Sequence, residues 1–357
     1  MTVTVIPAEH LTDDLSRAWA ALQEADPGLH SPYFRPEFTL AVAAARGGAE
    51  VAVLEDAGSP VGFFPFQRGR GGIGRPVGWP MCDYQGVVAR QGLDLDPDRL
   101  VRACGLAAWD FDHVPAALPG FAPHARVAAA SPYLDLSAGF DAYLADRRRA
   151  GTDLIPQAQR KARKVEREVG PLRFTFAATD PAAFRTLLDW KRTQYRRTGA
   201  ADLFALGWPE RLLEQAVAAT GPGFAGVLST LHVGDRLAAV DLSLRSHGVM
   251  HSWFPAYDAD FGRFSPGLIH LLELARAAAA DGVGRLDLGK GEEGYKRSLM
   301  TAATPLVAGT VAVTARARLL RGGWYRARQW AKSSRCGGPV RAAARATRPL
   351  REWLAFR

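Results

Sequence analysis

His251-Ser252-Trp253-Phe254-Pro255-Ala256-Tyr257-Asp258, then Phe264-Ser265-Pro266-Gly267, then Asp287-Leu288-Gly289-Lys290-Gly291 with Tyr295-Lys296 is the stretch on which the fold is read. The run Val249–Ala256 has strand character and leads to a tyrosine. Ser265 suits an N-cap, Pro266 the first helical position and Gly282 the helix end, which predicts a helix from Pro266 to about Ala280. A short strand, Arg285–Leu288, a glycine-bearing loop, a helical stretch near Tyr295–Met300 and a last strand, Val307–Val313, complete the predicted series.

Working outward, the elements before this stretch repeat an order already seen near the N-terminus. Thr2–Ile6 reads as a strand, Leu11–Glu24 and Arg35–Ala45 as helices, and Val51–Leu54 and Val61–Phe66 as a hairpin around Asp56-Ala57-Gly58-Ser59. Leu172–Phe176, Pro181–Arg196, Trp208–Thr220, and the hairpin Gly226–Val233 with Leu237–Leu244 around Gly234-Asp235 follow the same course. Two α/β halves with mixed sheets are expected, 1–150 and 151–313, followed by a basic helical tail, 314–357.

These motifs resemble the CelD/BcsL-type family of GNAT acetyltransferases. The aromatic strand ending in Tyr257, the Ser265-Pro266-Gly267 helix start and the Asp287-Leu288-Gly289-Lys290-Gly291 segment leading to Tyr295-Lys296 carry the resemblance over roughly 151–313. Cys82-Asp83-Tyr84-Gln85-Gly86 is similar to the Asp-Tyr segment of that family's first half. The family is in turn similar to FemABX-type transferases, in which two GNAT folds form one enzyme. The resemblance implies tandem GNAT-like halves and transfer of an acetyl or other acyl group from acyl-CoA to an amine or hydroxyl of a saccharide-related acceptor. An aminoacyl-tRNA donor, or a catalytically silent scaffold in envelope or polysaccharide assembly, stands as the alternative. The usual GNAT phosphate signature is replaced here by Arg263-Phe264-Ser265-Pro266-Gly267-Leu268.

Acyl transfer needs a proton acceptor and stabilisation of an oxyanion. Asp287 is the expected base or acceptor-orienting group, with a loop cap as its ordinary alternative. Tyr257 is expected to protonate the thiolate or pack on the donor, and Lys296 to bind a phosphate or an acidic acceptor. Arg263, Ser265 and Gly267 are the expected donor-pyrophosphate residues, because the first turn of a helix offers unpaired N–H groups and a positive dipole end. Asp83, Tyr84 and Tyr295 are expected to line the acceptor side, whereas His251 and Trp253 are assigned to the core.

Other readings fall away on their own chemistry. Gly289-Lys290-Gly291-Glu292-Glu293-Gly294 fits a dinucleotide pattern, but it puts glutamates where a pyrophosphate must approach. Gly284 to Lys290 approaches a P-loop but is followed by Gly291 where magnesium needs a hydroxyl. Three cysteines fit neither a metal site nor a disulfide framework, and no metal is expected. The N-terminus lacks a signal-peptide pattern and no membrane span is predicted, which points to the cytoplasm. The tail from Arg316 holds twelve arginines and lysines against Glu352, with Trp324, Tyr325, Trp330, Trp353 and Phe356 interleaved. It is read as a helical appendage or as a helix docking on the anionic inner face of a membrane, and a nucleic-acid partner is not expected.

Overall fold

A computed structural model describes residues 1–291 and 294–333. The first half runs β1 (Thr2–Pro7), α1 (Asp13–Glu24), α2 (Pro36–Arg46), β2 (Ala49–Asp56), β3 (Ser59–Arg68), β4 (Ile73–Pro76), β5 (Val88–Ala89), α3 (Pro97–Ala103), β6 (Ala108–Pro115), β7 (Ala125–Asp135) and α4 (Phe140–Arg149). The second runs α5 (Leu154–Glu168), β8 (Leu172–Thr175), α6 (Pro181–Thr198), α7 (Trp208–Ala218), β9 (Ala225–Val233), β10 (Arg236–Ser246), β11 (Val249–Tyr257), α8 (Pro266–Ala280), β12 (Arg285–Asp287), α9 (Gly294–Leu299) and β13 (Ala302–Ala312). Helix α10 (Ala315–Ser333) follows, and the remainder of the expected helical tail, 334–357, lies outside the described residues.

The two hairpins form where the turn chemistry demands it. Gly58 and Gly234 both take positive φ, 79° and 58°, which a residue with a Cβ adopts only at a cost. Helix starts are set by short polar side chains: Thr12 accepts from Leu15 N, and Asp180 from Ala182 N.

All the strands join one mixed sheet, in the order β1-β2-β3-β4-β6-β13-β7-β12-β11-β10-β9-β8, with β5 paired to β3. The order has an internal symmetry. Three antiparallel strands lead to a parallel pair in each half, β4 with β6 and β11 with β12. The next strand of each half then crosses over, so that β13 pairs β6 and β7 pairs β12, while β7 and β13 pair each other along the middle. The boundary expected at 150/151 falls between α4 and α5, but β7 and β13 tie the halves together by exchange. This is a tandem GNAT-like α/β fold with a mixed sheet.

Helices from both halves share one core. Trp19, Phe38 and Val42 of α1 and α2 lie in one buried cluster with Leu187, Leu212 and Leu213 of α6 and α7 and with Leu242 and Leu244 of β10. Helix α8 packs in another, with Met250, Leu286 and Leu288. Burial of this much apolar surface, at about 25 cal/mol per Å², is what holds the two halves in register.

Candidate active site

Strand pairing opens the site. Strands β11 and β12 pair only through Val249↔Arg285, Met250↔Leu286 and His251↔Asp287. Strand β11 continues to Tyr257 with no strand paired to it on that side among the described residues, so the two strands part beyond His251. A cavity of about 650 Å³ occupies the parting, walled by Ser252, Trp253, Pro255 and Tyr257 on one side and Leu288, Gly289 and Lys290 on the other. Unpaired edge N–H and C=O groups in such a parting can bind an extended amide-bearing chain.

The N-terminus of α8 stands at the cavity, contributing Ser265, Pro266 and Gly267. The Ser265 side chain does not cap the helix, contrary to the sequence expectation, because the residue takes a left-handed conformation at φ 54°. Its hydroxyl instead accepts from Lys161 Nζ at 2.7 Å. Gly267 leaves the backbone open beside Tyr257, since a Cβ there would lie 3.3 Å from that ring. Arg263 is placed elsewhere: its side chain is largely exposed, lies over Phe264 and stands 3.6 Å from Glu168. The cation beside Ser265 is thus Lys161 of α5.

Behind the cavity lies a buried polar network that joins both halves. Asp287, 1% exposed, accepts from Ser131 Oγ at 2.6 Å, Gly289 N at 2.9 Å, Tyr84 OH at 2.5 Å and Arg285 at 2.7 Å. Arg285 also donates to Tyr84 OH and Thr304 Oγ1, and its guanidinium lies 4.2 Å from the centre of the Tyr133 ring. His251 is fully buried between two carboxylates, with Nε2 2.9 Å from Asp83 Oδ2 and Nδ1 3.4 Å from Asp287 Oδ1, an ion-pair distance without the alignment of a hydrogen bond. His113 adds a contact of 3.4 Å to Asp83 Oδ1. Gly289 must be glycine here, because at φ 73° a Cβ would sit 3.0 Å from Asp83 Oδ2 and 3.5 Å from His251 Nε2.

These contacts set the charge states. Burial alone would lower the His251 pKa, but the close contacts and charges of Asp287 and Asp83 raise it to about 9. Burial would raise Asp287, yet His251, Arg285 and Ser131 hold it well below the usual carboxylate range. Asp83 is likewise lowered, burial being outweighed by His251 and His113. The Tyr84 hydroxyl is raised by burial and by Asp287, which keeps it a proton donor. The cluster is therefore an imidazolium and a guanidinium neutralised by two carboxylates.

Of the residues singled out from sequence, the structure brings Asp83, Tyr257, Ser265, Gly267, Tyr295 and Lys296 to the cavity wall, and puts Tyr84 and Asp287 directly behind it. Lys296 is buried, and its Nζ donates to Gly289 O and Lys290 O at 3.2 Å each, which fixes the loop after β12. Asp287, with both oxygens engaged, suits the orienting role and not that of a base at neutral pH. Sequence reasoning missed His251, Ser131 and Arg285, and also Lys191 and Asp241 on the cavity wall. Alternation placed His251 correctly in the interior, but no local signal showed that it would meet two carboxylates there. Among the described residues no group of His, Cys, Asp and Glu side chains is arranged to hold a metal ion.

Comparison with known proteins agrees with this fold. Residues 155–297 match the family model described as Acetyltransferase (GNAT) domain. No curated protein matches the chain. The crystal structure of FemX superposes with a TM-score of 0.60 at 10% identity, covering 90% of this chain and 99% of that one. The C-terminal domain of a putative lysylphosphatidylglycerol synthetase from Agrobacterium fabrum gives 0.53 at 12% identity, covering 86% and 95%. A conserved protein of unknown function from Bacteroides thetaiotaomicron gives 0.51 at 11% identity, covering 83% and 95%. At such identities the structural likeness speaks for the fold alone. The chain carries an acetyltransferase (GNAT) domain at residues 155–297, the catalytic domain of an acyltransferase, set in a two-part fold similar to that of FemX.

Proposed function

We propose that the protein transfers an acetyl or other acyl group from acyl-CoA to a sugar or polysaccharide-related acceptor, as a member of the CelD/BcsL-type group. The observation that carries the donor reading is the parting of β11 from β12 with the start of α8 at its mouth. An extended pantetheine can pair with the bare edge of β11, while a pyrophosphate meets the N–H groups and dipole of α8 beside Lys161. The buried pair of His251 and Asp287 joins the two strands at their last paired position, where the parting begins, and Lys296 holds the loop that forms the far wall.

The test is calorimetric titration with acetyl-CoA, set against a transfer assay using charged tRNA. Gly267→Val is expected to weaken acetyl-CoA binding about tenfold or more, because its side chain would meet the Tyr257 ring and fill the approach to the backbone. Unchanged affinity in a folded variant would remove the pyrophosphate from this helix. Transfer from charged tRNA with no acetyl-CoA binding would favour the aminoacyl alternative, and neither would favour a silent scaffold.

A cytoplasmic enzyme working at the inner membrane face is the location we propose. No helix among the described residues is long and apolar enough to cross a membrane. Helix α10, however, turns arginines toward the body, with Arg318 3.7 Å from Asp98 and Arg321 2.6 Å from Asp110, and leaves Leu319 and Leu320 70% and 61% exposed. Trp324 and Trp330 are also more than half exposed, and α10 contains no acidic residue. Leu319→Asp with Leu320→Asp is expected to reduce binding to phosphatidylglycerol vesicles about tenfold or more, and raised salt to weaken the wild-type interaction. Sedimentation with vesicles checks this, and equal binding by the double variant would exclude α10 as the membrane contact.

A further inference from the structure

The cavity runs through the sheet, and a different lysine stands at each end. Helix α8 packs with Met250 and Leu286, whereas α6 packs with Leu242 and Leu244. Leu244 pairs with His251, and the adjacent Met250 points to the opposite face by strand alternation, so the two helices cover opposite faces of the sheet. Lys161 and the start of α8 mark one end of the cavity. At the α6 end stand Lys191 and Gln194, three positions apart and therefore on one side of the helix.

Among the described residues the Lys191 ammonium makes no hydrogen bond and no ion pair, and the Gln194 side-chain amide makes no hydrogen bond. The ammonium lies 5.8 Å from the centre of the Phe254 ring. Asp241, the carboxylate that acts on it, is beyond ion-pair distance, and its charge is steadied by Ser243 and Ser252. Burial outweighs Asp241 and lowers the Lys191 pKa to about 8. The other charged groups at the cavity have partners of their own. His251 lies between Asp83 and Asp287, Lys290 donates to Asp112 O at 2.7 Å, and Lys296 donates to two carbonyls. His270 of α8, lowered to about 4 by burial, is neutral.

We propose, resting on the reading that this cavity seats a saccharide acceptor beside the donor, that the acceptor carries an oxyanion, a carboxylate or a phosphate, and that Lys191 and Gln194 bind it on the α6 face. Lys191 supplies the charge and Gln194 an N–H donor one turn away. A neutral hydroxyl could accept the same hydrogen bonds, but it would leave the ammonium uncompensated in a largely apolar wall, so the oxyanion is selected over its neutral counterpart. The donor's pyrophosphate belongs to the other face, with α8 and Lys161, and does not compete for this end. The oxyanion anchors the acceptor and takes no part in bond making, which makes Lys191 a residue of specificity.

The experiment is calorimetric titration at pH 8 with D-glucuronate, D-glucose 6-phosphate and D-glucose as probes, the protein being saturated with CoA so that the donor end is filled. Wild type is expected to bind at least one oxyanion probe about tenfold or more tighter than D-glucose, and the two probes distinguish a carboxylate from a phosphate acceptor. Both are ionised at pH 8, whereas Lys191 is about half neutral there, so binding should take up as much as about half a proton, read from the heats in HEPES and in Tris buffer. Lys191→Met is expected to lose both the preference and the uptake without a lower melting temperature, because it removes a poorly compensated charge. Lys191→Arg is expected to keep the preference without the uptake, since its guanidinium is charged in either state. D-Glucose bound as tightly as both oxyanion probes, no binding of any of the three, binding without proton uptake, or a preference unchanged in Lys191→Met would overturn the assignment. Failure of the wild type to bind CoA would instead overturn the donor reading, and the same probes without CoA would still decide the role of Lys191.

Discussion

Asp287→Ala is expected to lose about 3–5 kcal/mol of folding stability, the range found when one partner is removed from a buried ion pair. The loss has a specific origin. Removing the carboxylate leaves the half-buried Arg285 guanidinium and the buried His251 imidazolium with Asp83 as the nearest remaining counter-charge, and it strips the acceptor from Ser131, Tyr84 and Gly289 N. Because Ser131 and Tyr84 come from the first half and Asp287 from the second, the damage falls on the join between halves. Asp287→Asn should cost less, since its amide oxygen can still accept from Gly289 N or Ser131. Chemical denaturation of the three proteins checks this; an alanine variant within about 1 kcal/mol of wild type would show that the network contributes little to the fold.

Stability is expected to fall between about pH 6.5 and pH 9, and His251 is the group responsible. Its folded pKa lies at about 9 against the ordinary 6.5, so the folded state binds the proton more tightly. The stabilisation is complete below pH 6.5 and is lost as pH rises through 9; the shift corresponds to on the order of 3 kcal/mol. Lys191 acts in the opposite sense over a higher range: its pKa is lowered from 10.5 to about 8, so its buried charge is relieved as pH rises from 8. The difference between wild type and His251→Gln separates the two, since the variant keeps Lys191. Melting curves from pH 6 to pH 9.5 should show wild type descending toward the variant. Parallel curves would mean that His251 is neutral in the fold. At the acid end the signs reverse: Asp287 and Asp83, both held low, favour the fold above the ordinary carboxylate range, and that contribution fades as pH falls below about 4.

The sequence by itself determined the local parts. Gly58 and Gly234 dictate hairpin turns because positive φ is cheap only for glycine. Pro266 starts α8 because its ring suits the first helical turn. The motif Asp287-Leu288-Gly289 was legible through its resemblance to a family motif, whereas the reason for its glycine, the closeness of Asp83 and His251, emerged only in the fold. Which strand pairs with which was decided only in three dimensions. Strands β7 and β13 are exchanged between halves, and β12 is three residues long, so periodicity carried no trace of its partners. The roles of the acids were decided there as well. Asp241 alternates with apolar neighbours like any strand residue, and Asp287 sits at a strand end like many loop caps. Charge state depends on what surrounds a group, and the partners of Asp287 are Tyr84, more than two hundred positions away, and Ser131, in the opposite half. A carboxylate saturated by such partners is fixed in charge and position, and only the folded chain shows which acid that is.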